Sequence, residues 1–287
     1  MVNANGIRLW CATEGDPENP ALLLICGQGS QATDWDESLT AGLVAAGFFV
    51  VRYDNRDSGE STHFGGVSVD MNAVMSGDFS TVPYSLDDMA GDAIGLIDAL
   101  DLDRVHLVGH SMGAMVAQVL AIHYPERVRS LTCISSTTGE RSVGGYTAEV
   151  GAALYARSIA PPDQRFAAAL AASSTWASFS MGVTKEQLEA KALQRLERDP
   201  EGGGGGRQLA AVAAAPNRTE SLRSLDIPAL VIHGTEDPLV DVSGGRATAE
   251  AIPNSRLMLI EGMRHDLPPP VIPSVTDAIV ELANGAD

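Results

Sequence analysis

A serine with the sequence setting of a nucleophile stands near the middle of the chain. The pentapeptide Gly-His-Ser-Met-Gly occupies residues 109–113, directly after the apolar run 105–108 and directly before a segment with helical spacing. In a Gly-x-Ser-x-Gly turn between a strand and a helix, the serine backbone is strained and the two glycines make room for it. Ser111 is therefore predicted to project from the carboxyl end of a strand. The alternative is an ordinary serine N-cap at a helix start.

A serine hydroxyl needs a base, and the chain offers a histidine and a carboxylate in suitable places. Near neutral pH the hydroxyl is a poor nucleophile unless a histidine, oriented by a carboxylate, accepts its proton. In strand–turn–helix sites the acid and then the histidine follow the serine, each after a later strand. Asp237 follows the apolar run 229–233, and His265 follows the run 256–260. We therefore predict a catalytic triad of Ser111, Asp237 and His265.

Other side chains compete for two of these roles. Glu236 and Asp241 lie in the same turn as Asp237, and a solvated loop carboxylate is the alternative interpretation of this acid. His110 is predicted to pack beside the nucleophile, and His233 to be a buried, hydrogen-bonded core residue, with a supporting role near the acid as its alternative. The other histidines, also interpreted as structural, are His63, His106 and His123.

Two backbone N–H groups are predicted to form an oxyanion hole beside the serine. In sites of this kind one donor is the residue after the nucleophile, and the other lies in a loop after an early strand. The residue after the nucleophile is Met112. The segment Ile-Cys-Gly-Gln-Gly-Ser at residues 25–30 supplies the loop, with Gln28 as the second donor. The alternative for the two glycines of this loop is a plain tight turn.

These side chains can meet only if several strands end at one edge of a sheet. Short runs rich in Val, Ile, Leu or Cys, bounded by Gly, Asp, Asn or Pro, alternate with segments of helical periodicity. This alternation predicts an α/β fold with a mostly parallel central sheet covered by helices on both faces. Helical periodicity is clear in residues 87–100 and 112–123. The predicted strands are residues 7–13, 21–26, 48–53, 105–108, 130–135, 229–233 and 256–260.

A helical segment interrupts the strand rhythm in the second half of the chain. Residues 139–215 are rich in alanine and have helical spacing, with a predicted capping box at residues 184–187. We predict an α/β core made of residues 1–138 and 216–287, with an inserted helical cap over 139–215. The five glycines at residues 202–206 lack the Gly-Lys-Ser/Thr ending of a phosphate-binding loop, so they predict a flexible linker or hinge.

The inserted cap is predicted to cover the serine and to line a substrate pocket. Its apolar and aromatic side chains suit a small molecule of low polarity. Ordinary packing of the cap on the sheet is the alternative for most of these residues. The predicted substrate-binding residues are Trp35, Trp176, Phe179 and Met181.

The composition excludes several classes of protein. Hydrophobic residues make up 45% of the 287 residues and charged residues 20%, which is typical of a globular chain and not of a disordered one. The net charge of −18 argues against a nucleic-acid partner, which would need clustered cations. Three separated cysteines and the lack of a signal-like or membrane-spanning stretch predict a cytoplasmic protein. Both a monomer and a homodimer fit the sequence.

The motifs resemble those of the α/β-hydrolase superfamily and, within it, of actinobacterial serine esterases related to aclacinomycin methylesterase. The resemblance spans nearly the whole chain and is weak only in the inserted cap. It implies the same fold, a triad at Ser111, Asp237 and His265, and oxyanion amides at Gln28 and Met112. The matching segments are the Gly-Gln-Gly loop at residues 27–29, residues 52–61, the serine pentapeptide, the Gly-Thr-Glu-Asp-Pro turn at 234–238 and residues 261–266.

Two segments depart from the pattern of that superfamily. Many members have His-Gly where Cys26 and Gly27 stand, and Arg-Gly-x-Gly where residues 56–59 read Arg-Asp-Ser-Gly. Neither departure alters the three triad positions. Asp54 and Arg56, at the start of the second segment, are predicted to form structural ion pairs.

The predicted activity is hydrolysis of a carboxylic ester, thioester or lactone of moderate size through an acyl-enzyme, with no metal or organic cofactor. Epoxide and haloalkane hydrolases of this architecture carry a carboxylate in place of Ser111 and are disfavoured. Three alternatives keep the serine triad: a cofactor-free perhydrolase, a carbon–carbon bond hydrolase, and a ligand-binding receptor with slow turnover. The expected partner is a small-molecule ester, with neither nucleic acid nor membrane involved.

Overall fold

The computed structural model describes residues 1–200 and 202–286. Glu201 and Asp287 lie outside the described residues, and Asp287 is the last residue of the predicted segment 216–287. Its strands are β1 (Val2–Ala4), β2 (Ile7–Leu9), β3 (Cys11–Glu14), β4 (Ala21–Ile25), β5 (Phe49–Tyr53), β6 (Val105–His110), β7 (Val128–Ile134), β8 (Ala229–Gly234) and β9 (Ser255–Ile260). Its α-helices are α1 (Glu37–Ala45), α2 (Met71–Met75), α3 (Leu86–Ala99), α4 (Met112–His123), α5 (Ala148–Ser158), α6 (Arg165–Trp176), α7 (Lys185–Arg198), α8 (Gly204–Ala214), α9 (Thr219–Leu222), α10 (Val242–Ala251) and α11 (Ile272–Asn284). Within the described residues, none of these helices has both the length and the apolar character needed to cross a membrane.

A central sheet organises the described part of the chain, with seven strands in the order β3-β5-β4-β6-β7-β8-β9. Strand β3 runs antiparallel to β5, whereas the other neighbours are parallel. Strands β1 and β2 form a separate antiparallel pair. Because β6, β8 and β9 run in one direction, their carboxyl ends meet at the same edge of the sheet. The predicted α/β class and mostly parallel sheet are confirmed.

Helices cover both faces of this sheet, as the side chains of β4 demonstrate. All five β4 residues are buried. Leu23 and Ile25 pack in a cluster with α3 and α4, whereas Leu22 and Leu24 pack in a second cluster with α1 and α11. Alternate residues of a strand point to opposite faces, so an unbroken apolar run is what a doubly covered strand requires. Each such side chain contributes about 1.5–3 kcal/mol on burial.

Capping residues determine where two of the helices begin. The Ser85 hydroxyl accepts a hydrogen bond from the Asp88 N–H, and the Asp88 carboxylate accepts one from the Ser85 N–H, which starts α3. Thr184 and Gln187 exchange the same pair of bonds at the start of α7, so the predicted capping box is confirmed. Each box satisfies N–H groups that a helix start leaves without a partner.

The first predicted strand, residues 7–13, is two strands in the structure. Strand β2 pairs with β1 outside the main sheet, and β3 joins the edge of the main sheet. The chain passes between them at Trp10, whose N–H donates to the Ser61 hydroxyl at 2.9 Å and whose carbonyl accepts from the Asp54 N–H at 3.0 Å. The apolar run is continuous in sequence, but hydrogen bonds to a distant loop divide it.

Helices α5 to α9 lie between β7 and β8. Helix α6 packs against both α5 and α7, while α8 packs against α5 and α2. Ala211 of α8 belongs to the main core cluster, so this helix joins the inserted segment to the α/β core. The division into a core of residues 1–138 and 216–287 and a cap of residues 139–215 stays a prediction.

The glycine run at 202–206 is a helix start, and the prediction of a flexible linker is wrong at this point. Gly203 has a φ of 81° and is the N-cap of α8, which begins at Gly204. A side chain at Gly204 would collide with the backbone carbonyl of Asp57. A Cβ at Gly206 would lie 2.7 Å from the carbonyl oxygen of Ser158. The glycines are therefore required by close backbone packing, which composition alone does not distinguish from flexibility.

Replacing Gly204 by alanine is expected to lower the free energy of unfolding by about 1–3 kcal/mol, because the added methyl overpacks the contact with Asp57. Urea unfolding followed by circular dichroism measures this change. The matched control is Gly66→Ala, since a Cβ at Gly66 meets nothing within 4 Å. Equal stability of the two variants would contradict the close-packing explanation of the glycine run.

Candidate active site

Ser111 stands between β6 and α4 in a strained backbone conformation. Its φ is 56° and its ψ is −121°, a region that residues with a side chain rarely adopt. A side chain at Gly109 would collide with the backbone of Gly113 and Ala114, and one at Gly113 would collide with the carbonyl of Ile25. Both glycines of the pentapeptide are thus required by space. The turn places the Ser111 hydroxyl at the carboxyl edge of the sheet.

His265 connects Ser111 to Asp237. The His265 Nδ1 lies 2.7 Å from Asp237 Oδ2, and its Nε2 lies 3.0 Å from Ser111 Oγ. A carboxylate only accepts hydrogen bonds, so Nδ1–H is the donor to Asp237, which leaves Nε2 free to accept the proton of the serine hydroxyl. The imidazole is almost fully buried, and the backbone N–H of His265 donates to the Trp176 carbonyl at 3.2 Å. The structure therefore brings together the three residues predicted as a triad.

The Asp237 carboxylate is held by the turn after β8. Its Oδ1 accepts hydrogen bonds from the N–H groups of Leu239 and Val240, both at 2.9 Å. Burial opposes its ionisation, but the charge of His265 and the hydrogen bonds from His233, His265 and Val240 outweigh burial and hold the pKa of Asp237 below its usual value. The group is therefore a carboxylate at neutral pH, as orientation of the imidazole requires.

The competing acids point elsewhere. Glu236 is exposed to solvent, and Asp241 accepts a hydrogen bond from the Ser243 N–H as the N-cap of α10. His233 is fully buried beside Asp237, and its Nε2 donates to the Val240 carbonyl at 2.8 Å. It thus fixes the turn that carries Asp237. His233 is therefore both a buried, hydrogen-bonded core residue and a support for the acid, the two interpretations that the sequence offered.

His110 supports His265 from the nucleophile turn. Its Nε2 lies 2.8 Å from the His265 carbonyl oxygen, and the two rings are 5.0 Å apart. Burial, reinforced by the charge of His265, lowers the pKa of His110 to about 4. His110 is therefore neutral at pH 7 and donates its Nε2–H to that carbonyl. This bond fixes the backbone that carries the base.

The loop after β4 lies against the serine, as expected for an oxyanion hole. A Cβ at Gly27 would be 3.2 Å from the Cβ of Ser111, so the loop backbone approaches the nucleophile closely. Across the described residues, no hydrogen-bond partner is found for the backbone N–H of Gln28 or of Met112. Both groups remain available to a ligand oxygen. Their assignment as oxyanion donors is consistent with this arrangement and stays a proposal.

Side chains of α8 hold this loop, a role that the sequence did not indicate. Gln208 is fully buried, accepts a hydrogen bond from the Gly29 N–H at 2.6 Å and donates to the Arg56 carbonyl at 2.7 Å. The side chain of Gln28 donates to the Gly205 carbonyl at 2.5 Å. These partners are more than 150 positions apart in the chain, so no local signal could have identified Gln208.

Ion pairs hold the segment that follows β5, as predicted for Asp54 and Arg56. Arg56 pairs with Asp92 at 2.6 Å, and Asp54 pairs with Arg198 of α7 at 2.8 Å. Asp54 also accepts a hydrogen bond from the Ala32 N–H at 2.7 Å. Through these bonds the segment connects α3, the short helical turn at 32–34 and α7.

A cavity of about 250 Å³ opens onto Ser111 and His265. Its wall contains Trp35 and Trp176, two of the predicted substrate-binding residues, whereas Phe179 and Met181 are not part of it. Phe179 is 39% exposed, and Met181 packs on the core cluster that includes Trp35. Both residues belong to a short 3₁₀ helix at 179–181, and neither side chain contributes to the cavity wall. Other apolar residues of the wall are Cys26, Leu39, Ala177, Val183, Leu188, Leu239, Leu267, Pro269 and Ile272.

The architecture and motif agree with a known family. Residues 20–268 match the family described as alpha/beta hydrolase fold. The chain belongs to this family. The resemblance seen in the sequence, to α/β hydrolases and to methylesterase-related esterases, is confirmed.

Relatives of known function cover nearly the whole chain of this hydrolase-family protein. It is 29% identical to rhodomycin D methylesterase DauP of Streptomyces sp. (strain C5), over 93% of this chain and 92% of that protein. It is 28% identical to 3-oxoadipate enol-lactonase 2 of Acinetobacter baylyi, over 91% and 87% of the two chains. The solved meta-cleavage product hydrolase of Pseudomonas fluorescens IP01 has a TM-score of 0.77 at 20% identity, over 100% and 97% of the two chains, and shares the fold.

Removing the imidazole of His110 is expected to make the free energy of unfolding depend less on pH below neutrality. The folded-state pKa of about 4 lies below the unfolded value of about 6.5, so the unfolded chain binds more protons between these limits and stability falls as the pH falls. In His110→Gln, whose amide can still donate to the His265 carbonyl, the slope of the unfolding free energy against pH should decrease by up to about one proton. Urea titrations between pH 4.5 and 7.5 measure this slope. An unchanged slope would show that His110 does not titrate as its burial indicates.

Proposed function

We propose that this protein is a serine hydrolase that cleaves a carboxylic ester, thioester or lactone of a moderately apolar small molecule. The observation that carries the proposal is the continuous hydrogen-bonded chain from Asp237 through His265 to Ser111, with distances of 2.7 and 3.0 Å. A base within hydrogen-bond reach of a hydroxyl, and itself oriented by a carboxylate, is the arrangement that nucleophilic catalysis by serine requires.

The first half of the reaction forms an acyl-enzyme. His265 Nε2 takes the proton of Ser111 as Oγ attacks the carbonyl carbon, and the negative charge that develops on the carbonyl oxygen is stabilised by the N–H groups of Gln28 and Met112. Asp237 stabilises the imidazolium. The carbon–oxygen bond to the leaving alcohol then breaks, and the alcohol leaves with the proton from Nε2.

The second half repeats these steps with water. His265 accepts a proton from the water as its oxygen attacks the acyl carbon, and the bond to Ser111 Oγ breaks as Nε2 returns the proton to it. The carboxylic acid is released and the free enzyme is restored. Each proton and electron pair is accounted for by these side chains, so a cofactor-free reaction is part of the proposal.

The cavity and the relatives support the substrate class. Trp35 and Trp176 are proposed to contact the apolar part of the ester, because both lie in the wall beside the nucleophile. A relative named as a methylesterase and another named as an enol-lactonase match the chain over most of its length. A small-molecule ester as partner and a cytoplasmic location are part of the proposal, and either a monomer or a homodimer fits it.

Sustained turnover of a simple ester tests the proposal. Purified protein is expected to hydrolyse 4-nitrophenyl butyrate over many cycles, and Ser111→Ala is expected to reduce kcat by about 10⁴-fold or more. The matched control, Ser142→Ala at an exposed position, should leave the rate unchanged. Release of nitrophenol is followed continuously by its absorbance.

Two results would overturn this function. Equal rates for wild type and Ser111→Ala would remove the serine from the mechanism. A single burst of product without further turnover would favour the slow receptor. A panel that includes peracid formation and carbon–carbon bond cleavage separates the ester hydrolase from the other two chemistries.

A further inference from the structure

The inserted helices place an arginine in the wall of the cavity that contains Ser111. Arg157 belongs to α5, and its Nη2 donates to the carbonyl of Gly29 at 3.2 Å. Gly29 follows Gln28, so the guanidinium lies beside the loop that carries a proposed oxyanion donor. Among the described residues, no carboxylate lies within 4 Å of the Arg157 nitrogens. Arg157 therefore brings a positive charge into the cavity without a paired anion.

Several other poorly exposed arginines have more hydrogen-bond or ion-pair partners than Arg157. Arg157 is half-buried. Arg218 is buried and, within the part of the chain that the structure describes, has no carboxylate partner, but it donates to three oxygen atoms, on the Gln118 side chain and on the carbonyls of Pro216 and Thr137. Arg157 donates to one carbonyl. The arginines that pair with a carboxylate include Arg56 with Asp92, Arg195 with Asp34, Arg198 with Asp54 and Arg207 with Asp57.

The acidic side chains of the cavity wall are already engaged. Both oxygens of Asp34 accept from Arg195 Nε at 2.9 Å. Asp36 accepts hydrogen bonds from the first turn of α1 as its N-cap. Asp266 accepts hydrogen bonds from the N–H and the hydroxyl of Ser178 at 2.9 and 2.5 Å. None of the three is hydrogen-bonded to Arg157, so its charge is available to an anionic ligand.

The positive charges of Arg157 and the nearby Arg195 also favour an anion in this cavity. Burial, together with the nearby charge of Arg195, lowers the pKa of Arg157 to about 10. The attraction of Asp34 raises this pKa, but by less than the other two effects lower it. The group is still protonated at neutral pH. A second positive charge nearby and few protein acceptors make an anion favourable at this place. A planar guanidinium binds a carboxylate through two parallel hydrogen bonds, which gives orientation as well as attraction.

We propose that Arg157 is a specificity-determining residue that binds a carboxylate of the substrate. The substrate would then be an otherwise apolar ester that carries one carboxylate within a few carbon atoms of the ester group, since both groups must fit one cavity of about 250 Å³. This inference rests on the proposed function, because it places the carboxylate on the molecule that Ser111 attacks.

Two pairs of matched esters test the proposal and distinguish the two sides of the ester. Monomethyl glutarate and methyl pentanoate differ by a carboxylate in place of a methyl on the acyl side. Sodium 4-acetoxybutanoate and butyl acetate differ in the same way on the alcohol side. Wild type should prefer the charged ester in at least one pair. Arg157→Gln should lower kcat/KM for that charged ester by about tenfold or more, mainly through KM, and change the neutral ester by less than about threefold.

Matched controls separate this role from other effects of the substitution. Lys185→Gln removes a positive charge from an exposed position outside the cavity wall and should leave both esters unaffected. Arg157→Lys should recover part of the affinity for the charged ester, because lysine keeps the positive charge. The recovery should be incomplete, because lysine lacks the two parallel N–H donors of the guanidinium. Circular dichroism and thermal unfolding verify that each variant is folded.

Two kinetic results would overturn the proposal. Equal losses for charged and neutral esters would mean that Arg157 only positions Gly29, and a wild-type preference for the neutral ester in both pairs would exclude a carboxylate site. If wild type turns over none of the four esters faster than Ser111→Ala, the proposed function fails. Calorimetric binding of pentanoate and of neutral pentanamide to wild type and Arg157→Gln then still decides the inference: tighter binding of pentanoate that depends on Arg157 supports it, and equal binding of the two compounds contradicts it.

Discussion

A buried carboxylate needs donors around it, and the surroundings of Asp237 follow from this requirement. Two backbone N–H groups of the turn after β8 bond one oxygen, and the Nδ1–H of His265 bonds the other. These bonds compensate the loss of hydration and keep the group ionised. Because Asp237 accepts from Nδ1, the imidazole has its free electron pair on Nε2, 3.0 Å from Ser111 Oγ. The tautomer and position of the base are thus consequences of how one charge is buried.

The parallel sheet and the inserted helices supply the remaining geometry from opposite sides. The sheet brings the ends of β6, β8 and β9 to one edge, where the proposed triad residues stand. The inserted helix α8 holds the loop at residues 25–30 through the Gly205 carbonyl and the side chain of Gln208. A movement of α8 would break both of these bonds. The inserted helices are therefore tied to the loop beside Ser111, and they also contribute residues to the cavity wall.

Those parts of the site that depend on local chemistry could be predicted from the sequence. The pentapeptide around Ser111 requires its glycines, and acid and histidine each follow a recognisable strand, so strand order alone brings them to one edge. The parts that depend on long-range backbone contacts could not be predicted. The glycines at 202–206 read as a linker, because the Asp57 carbonyl against which Gly204 packs is far away in the sequence. Phe179 has the residue type of a pocket wall, but in the structure it is exposed and lies outside the cavity wall.

Labelling with a fluorophosphonate, followed by peptide mapping, tests the central claim most directly. A serine activated by a hydrogen-bonded imidazole reacts covalently at its Oγ, whereas an ordinary serine does not. We predict one label per chain, located on Ser111. Esterase activity should fall in proportion to the fraction of chains that carry the label, and labelling should be strongly slowed in His265→Ala. A label on another residue, or an active enzyme that retains its full activity and carries no label, would contradict the account.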